Sequence, residues 1–445
     1  MQQKSSVIEN IRTSLVEKIE DKSALVGVVG LGYVGLPFAV EKAKVGYQVI
    51  GIDQNPQRVS KVNEGKNYIS DVNDDELKEL VSRGVLKANA DFSVVPELDV
   101  IVIAVPTPLT KNLTPDLKYI ENVTQELATR LRPGQLICLE STTYPGTTEE
   151  VMLPLLEKND LKAEEDFYLA HSPERVDPGN KRYSTKNTTK VVGGIGPASL
   201  ELALCFYSQT IEQVVPVSSA KAAELVKVFE NTFRAVNIAL VNELAVLCDR
   251  MGLNVWEVLD AAFTKAFGIM PFYPGPGVGG HCIPVDPHYL EWKAKELNFE
   301  THFINLAGEI NRKMPEFVRD KTYRILNGMG LAPSKSKVLV MGVAYKKDLS
   351  DYRESPAAEL ISLFIKDNVA VNYHDPFVPN FSDKGLKLQS IPLNETTIKQ
   401  HDLIVITTDH SNINYNELFQ HATKIFDTRN VTKRVKEGKE KAILL

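Results

Sequence analysis

The order of residues 24–53 restricts the fold more than any other stretch of this chain. Ala24-Leu-Val-Gly-Val-Val-Gly30 is a short β-branched apolar run, suited to a buried parallel strand, and it leads straight into Gly30-Leu-Gly-Tyr-Val-Gly35. A helix-like stretch and a second strand, Gln48-Val-Ile-Gly-Ile-Asp53, follow, and the closing acid stands 18 residues after Gly35. Spaced glycines alone are weak evidence. Strand, glycines, helix, strand and terminal acid in that order specify a Rossmann-type dinucleotide-binding unit.

Each glycine then has its own task. Gly30 makes the tight turn, Gly32 lets a pyrophosphate approach the helix N-terminus, and Gly35 allows helix and strand to pack closely. Asp53 is expected to accept hydrogen bonds from ribose hydroxyls and to repel a 2′-phosphate, which favours NAD over NADP. An exposed loop acid is the competing reading of that position.

Short apolar runs continue the β/α alternation at 99–105, 135–141, 167–170, 190–193 and 212–217. Two of them end in polar loops, Pro106-Thr107-Pro108 and Ser141-Thr142-Thr-Tyr-Pro-Gly146, at the sheet edge where open α/β folds bind ligands. From Ser218 to Met251 runs a helical pattern without Gly or Pro, roughly 50 Å long at the usual rise. That length suits a domain connector and a dimerisation surface. Strand patterns return at 337–343, 370–374, 402–406 and 424–427, without the first unit's glycine spacing, so a different phosphate ligand is expected there. The charged segment from Lys433 to Lys441 reads as a frayed end.

The predicted architecture is α/β. Two Rossmann-like doubly wound domains, residues 1–217 and 331–445, are joined by a central helical domain, 218–330, which holds one long helix. At 445 residues the chain can build two or three cores, and a net charge of −6 argues against a general nucleic-acid or anionic-membrane partner. Without an apolar run long enough for a signal or a span, a reducing cytoplasm is expected.

Cys138, Cys205, Cys248 and Cys282 are scattered with no paired spacing, so neither a disulfide framework nor a metal site is suggested. The first three fall in apolar or helical stretches and read as buried and inert. Cys282 is different, because Pro274-Gly-Pro-Gly-Val-Gly-Gly-His-Cys-Ile-Pro284 surrounds it with residues that shape backbone. A passive cysteine in a surface turn remains the plainer alternative. Glu224, Lys227, Asn231 and Arg234 share one helical face, and Glu174 and Asp177 share one loop. Taken singly, each could be solvated charge.

Together these motifs resemble the UDP-glucose/GDP-mannose dehydrogenase family over nearly the whole chain. The matching residues are Gly30 to Gly35, Ser141-Thr142, Ser172-Pro-Glu174, Glu224 to Asn231, Gly279-Gly-His-Cys282 with Asp286, Gly342-Val-Ala-Tyr-Lys-Lys-Asp348 and Arg353-Glu-Ser-Pro356. The resemblance implies NAD as cofactor, a UDP-sugar as substrate, a homodimer, and oxidation of the sugar C6 alcohol to a carboxylate. It assigns Cys282 as nucleophile, aided by a basic neighbour such as Lys227 or His281. It makes Lys227 and Asn231 oxyanion donors, Asp286 and Thr142 water holders, and Glu174 a proton-transfer group.

By the same resemblance Gly30, Gly32, Tyr33, Val34, Gly35, Asp53, Arg58, Pro106, Thr107, Ser141, Thr142 and Arg353 face the cofactor. Glu174, Arg175, Val176, Lys227, Asn231, Arg234, Phe272, Tyr273, Gly279, Tyr345 and Lys346 face the substrate. Pro178 and Val285 depart from the UDP-glucose pattern, which has Glu and Lys there. The wording at 172–179 and 274–284, with Thr408-Asp-His410, is more similar to the branch that oxidises UDP-N-acetylhexosamines, especially UDP-N-acetylglucosamine. UDP-N-acetylmannosamine and UDP-glucose are the alternatives within the family. A two-electron hydroxyacid dehydrogenase and a non-catalytic regulator are the alternatives outside it.

Overall fold

The computed structural model describes residues 2–445 except Ser70, Asp71, Lys111, Pro178, Gly179, Lys181, His281 and Lys384, with side chains from Ile8 onward. Pro178 and His281, singled out above, thus lie outside the described residues. The chain divides into two compact units, residues 1–230 with 288–297, and residues 231–287 with 298–445.

The first unit is built on β1 (Leu25–Val29), β2 (Gln48–Ile52), β3 (Leu86–Asn89), β4 (Val100–Ile103), β5 (Gln135–Leu139), β6 (Phe167–His171), β7 (Lys190–Gly194) and β8 (Val214–Pro216). They form one sheet in the order β3-β2-β1-β4-β5-β6-β7-β8. All pairs are parallel except β6 with β7. Every residue of β4 and β5 is buried, and apart from Gln135 at the start of β5 both strands are apolar throughout. The sequence reading missed β3, since Leu86-Lys-Ala-Asn89 alternates buried and exposed positions over only four residues. Behind the glycine turn, the helix Gly35–Lys44 buries Lys42, whose Nζ donates to the Phe206 carbonyl at 2.6 Å and lies 3.5 Å from that ring's centroid. Burial holds this lysine well below its ordinary pKa.

The second unit takes the long helix Ala220–Met251 from Asn231 onward, adds the helices Val255–Ala262 and His302–Gly328, and ends in another parallel sheet. Its strands are β9 (Lys337–Met341), β10 (Ala370–His374), β11 (Asn380–Asp383), β12 (Leu386–Gln389), β13 (Leu403–Ile406), β14 (Ile425–Asp427) and β15 (Ala442–Leu444). The sheet order is β10-β9-β13-β14-β15, with β11 and β12 apart as an antiparallel hairpin. The α/β class with a long central helix is therefore as the sequence implied. The end of the chain is not frayed as expected. Lys441 Nζ donates to the carbonyls of Phe419 and Gln420, and the apolar Ala442-Ile-Leu444 behind the charged run pairs with β14.

Candidate active site

The turn after β1 has the local geometry the glycines predict. Gly30 sits at φ +93° with its N–H on the Ile52 carbonyl at 2.8 Å, and a Cβ there would meet the Ala104 carbonyl oxygen at 2.4 Å. A Cβ on Gly35 would lie 1.8 Å from the Gly30 oxygen, whereas one on Gly32 would meet nothing within 4 Å. Two glycines are thus demanded by packing, and the middle one faces open space. Such a cradle at a helix N-terminus fits a dinucleotide pyrophosphate.

Tyr33 is exposed and Val34 precedes the helix. Asp53 is buried at the end of β2, where its Oδ2 accepts from Leu31 N at 2.9 Å and Arg58 Nη1 at 3.3 Å, and its Oδ1 from Asn55 N at 2.8 Å. Arg58 therefore reaches the cradle through Asp53. Tyr68, for which the sequence carried no signal, closes the same turn by donating to the Leu31 carbonyl at 2.7 Å.

Along the same sheet edge, Ser141 ties two strand ends together. Its Oγ donates to Val105 O at 2.8 Å and accepts from Val105 N at 2.9 Å. Pro106 is exposed, Thr107 is buried with its carbonyl accepting the Tyr289 hydroxyl, and Thr142 is half-buried. The loop beyond Thr142 hangs on Glu224 of the long helix. That carboxylate accepts Gly146 N at 2.5 Å, Thr148 N at 2.8 Å and Thr148 Oγ1 at 2.6 Å. Burial pushes Glu224 up to about 7 despite those donors.

Glu174 closes the edge. Its Oε1 accepts the N–H groups of Arg175 at 2.8 Å and Val176 at 2.7 Å, while its Oε2 lies 3.3 Å from Lys190 Nζ. Lys190 also pairs with the fully buried Glu140 at 3.1 Å. Burial alone would raise Glu174, but Lys190, the Val176 N–H and Lys227 outweigh it and hold the group below the ordinary carboxylate range. Arg175 turns to Glu230, at 2.5 Å, and to the Thr189 carbonyl, at 2.6 Å. Val176 is half-buried beside it.

In the second unit Cys282 is exposed and outside any disulfide, on a turn closed by Val285 N and Asp286 N donating to its carbonyl at 3.1 and 2.8 Å. The buried Asp286 carboxylate accepts Asn231 Nδ2 at 2.6 Å, so the turn bearing the thiol is tied to the long helix. Of the helical stripe, Glu224, Lys227 and Asn231 are buried and Arg234 is exposed. Of the other cysteines, Cys138 and Cys248 are buried, but Cys205 is only part-buried, contrary to expectation. Cys205 packs against the core of the first unit without being enclosed by it.

The glycines that precede Cys282 in the chain are closely packed by their neighbours. Gly275 N donates to Asn242 Oδ1 at 3.0 Å, and a Cβ on Gly275 would strike Arg429 Nη1 at 2.6 Å. Cβ atoms on Gly279 and Gly280 would meet the Tyr345 side chain at 2.7 and 2.8 Å, and Gly280 N donates to Arg353 O at 3.0 Å. Phe272 packs against Phe233, and Tyr273 stacks on Trp256 with its hydroxyl on Asp260 at 2.9 Å. Lys346 is half-buried, and the exposed Arg353 pairs with Asp351 at 2.7 Å. Sequence reasoning passed over Lys190, Glu140 and Arg429. Lys190 opens a strand and Glu140 ends one, so each looked like a sheet boundary rather than a member of a charge network.

Three models of the UDP-glucose/GDP-mannose dehydrogenase family match the chain: its NAD binding domain over residues 24–211, its central domain over 221–313 and its UDP binding domain over 339–434. The chain is 35% identical over 420 residues to a UDP-N-acetyl-D-mannosamine dehydrogenase of Pyrococcus horikoshii, covering 93% of this chain and 97% of that one. It is also 35% identical over 392 residues to a UDP-N-acetyl-D-glucosamine 6-dehydrogenase of Pseudomonas aeruginosa, covering 88% and 91%. A solved structure of the Pyrococcus horikoshii UDP-D-ManNAc dehydrogenase superposes with a TM-score of 0.85 at 34% identity, covering 94% of this chain and 98% of that one.

Proposed function

The chain belongs to the UDP-glucose/GDP-mannose dehydrogenase family and is an NAD-dependent oxidoreductase; from that premise we propose that it oxidises C6 of a UDP-N-acetylhexosamine to the carboxylate, with Cys282 as covalent nucleophile. The observation that carries the nucleophile is the exposed Cys282 on a turn pinned by Asp286, whose carboxylate is itself held by Asn231. Two relatives with acetamido-sugar names support the substrate class, as does the wording of the Ser172 and Pro274 segments. Of the two epimers, UDP-N-acetylglucosamine is the expected substrate.

The reaction has four parts. The C6 hydroxyl first loses a proton and a hydride to become an aldehyde. The Cys282 thiolate adds to that carbon, forming a C–S bond, and Lys227 and the remaining Asn231 N–H stabilise the oxyanion. Loss of a second hydride from this thiohemiacetal gives a thioester. Water, held by Asp286 and Thr142, then cleaves the C–S bond, releasing the carboxylate and returning the thiol. NAD, when held by Gly30 to Gly35, Asp53, Pro106, Thr107 and Ser141, supplies the hydride acceptor for both oxidations. Glu174, kept ionised by Lys190, is suited to accept a proton rather than give one. Lys346 and Tyr345 take the diphosphate end of the substrate.

Counting NADH per sugar tests this reading. Wild-type protein with UDP-N-acetylglucosamine is expected to yield about two NADH per substrate, and Cys282→Ala to lose about 10³-fold or more in that complete oxidation. Complete oxidation by Cys282→Ala at near wild-type rate would remove the covalent mechanism. Faster turnover of UDP-glucose than of either acetamido sugar would remove the substrate class. The exposed Phe233, Leu240, Leu247 and Met251 on the long helix support a homodimer, which a monomeric mass by light scattering would exclude.

A further inference from the structure

The segment Thr408-Asp409-His410 follows β13 and plays no part in the chemistry above. The side chains of Thr408 and His410 instead grip residues 342–348, the loop that carries Tyr345 and Lys346. Thr408 Oγ1 donates to Ala344 O at 2.6 Å, and a Cβ on Gly342 would meet Thr408 Cβ at 2.4 Å. His410 has no solvent exposure. Its Nδ1 accepts the Asp348 N–H at 3.0 Å, and its Nε2 faces Asp375 Oδ2 at 3.1 Å. A backbone N–H can only donate, so Nδ1 is unprotonated. In this geometry Nδ1 is therefore the acceptor and Nε2 the donor to Asp375.

Asp375 relays the grip to the start of the loop. The same Oδ2 accepts Val343 N at 2.7 Å and Ala344 N at 2.8 Å. At the far end, Ser411 N and Oγ donate to the Asp348 carboxylate at 2.8 and 2.6 Å. Asp348 stands at φ +61°, an uncommon conformation for a non-glycine residue that its surroundings must hold. The loop is thus fastened at both ends, and Tyr345, lying between them, backs Gly279 and Gly280 three and two residues before Cys282.

We infer that His410 is a positioning residue for the UDP end of the substrate: its Nδ1, by accepting the Asp348 N–H, sets the loop that presents Lys346 and Tyr345. The inference rests on reading Lys346 as a diphosphate contact. Two near-isosteric replacements in the full-length protein separate the bonds. His410→Asn puts an amide oxygen near the Nδ1 position and keeps an acceptor for Asp348. His410→Gln keeps a donor for Asp375 and loses that acceptor.

Calorimetry with UDP alone, and steady-state kinetics with UDP-N-acetylglucosamine and NAD varied in turn, give the readouts. His410→Gln is expected to weaken UDP binding and raise the sugar KM by about tenfold, with the NAD KM within about twofold of wild type. His410→Asn is expected to stay within about threefold in every constant. Unchanged UDP affinity in folded His410→Gln overturns the inference, as do equal rises in both KM values, the mark of a general loss of structure. If only His410→Asn folds, a tenfold loss of UDP affinity in it overturns the inference and wild-type affinity supports it. Lys346→Met tests the underlying reading separately: wild-type UDP affinity in that variant discards the role of the loop, whatever His410 does.

Discussion

The turn after β1 and the turn after β9 are built alike and used differently. Each strand is followed by a glycine at positive φ, Gly30 at +93° and Gly342 at +89°, whose N–H donates at 2.8 Å to the carbonyl of the last residue of the neighbouring strand, Ile52 or His374. Each neighbouring strand is followed by an acid, Asp53 or Asp375, whose Oδ2 accepts N–H groups from the turn. The difference lies in what else the acid holds. Asp53 has an exposed arginine as its side-chain partner and stands beside Gly32, which faces open space. Asp375 is sealed by His410 and Phe377, with no side-chain exposure. One device therefore leaves its acid at an open turn, and the other uses its acid to fix a loop.

The largest effect expected from this contrast is on stability. Asp375→Ala strands four backbone N–H donors and a buried imidazole and should cost about 3–5 kcal/mol in urea denaturation. Asp53→Ala should cost only about 1–2 kcal/mol, because it has fewer donors and a solvated arginine partner, and should act mainly by raising the NAD KM. Equal stability losses would erase the distinction between the two acids.

The glycines come next. Gly30→Ala and Gly342→Ala both force a Cβ into occupied space at positive φ, and each should cost about 2–4 kcal/mol. Gly32→Ala separates fold from ligand: with no neighbour within 4 Å of its Cβ it should leave Tm within about 2 °C while weakening NAD about tenfold. A large drop in Tm for Gly32→Ala would make the first turn as much a packing device as the second.

This pairing of turns was only half legible in the sequence. Gly30, Gly32, Gly35 and Asp53 announce themselves because the helix begins at once and the spacing is short. Gly342 and Asp375 lie 33 residues apart with no second glycine between Met341 and Tyr345, so the same hydrogen-bond plan carries no spacing signal. Cys282 and Asp286 were readable for a similar reason, since proline and glycine constrain backbone locally. Lys190, Glu140 and His410 were not. Their roles come from contacts with residues 16 to 62 positions away, which no local pattern encodes.

The pH dependence is the most diagnostic contrast, because the loop anchors of the two units should respond to pH in opposite directions. Burial would raise Asp375, but His410 and the N–H groups of Ala344 and Phe377 lower it overall. Its folded pKa is thus below its unfolded value near about 3.9, so its stabilisation is present above that value and is lost as pH falls through the folded pKa. Glu224, the anchor of the loop at 146–148, is raised by burial to about 7. Its contribution is fully present below an unfolded pKa of about 4.3 and is lost as pH rises through about 7. Stability measured from pH 5 to 8 should therefore show Glu224→Gln gaining on wild type by about 2–3 kcal/mol, while Asp375→Asn keeps a constant offset over that range and closes on wild type only below about pH 4. A pH-independent gap for Glu224→Gln would mean that its three donors keep the carboxylate ionised, and that both units anchor their loops with permanent charge.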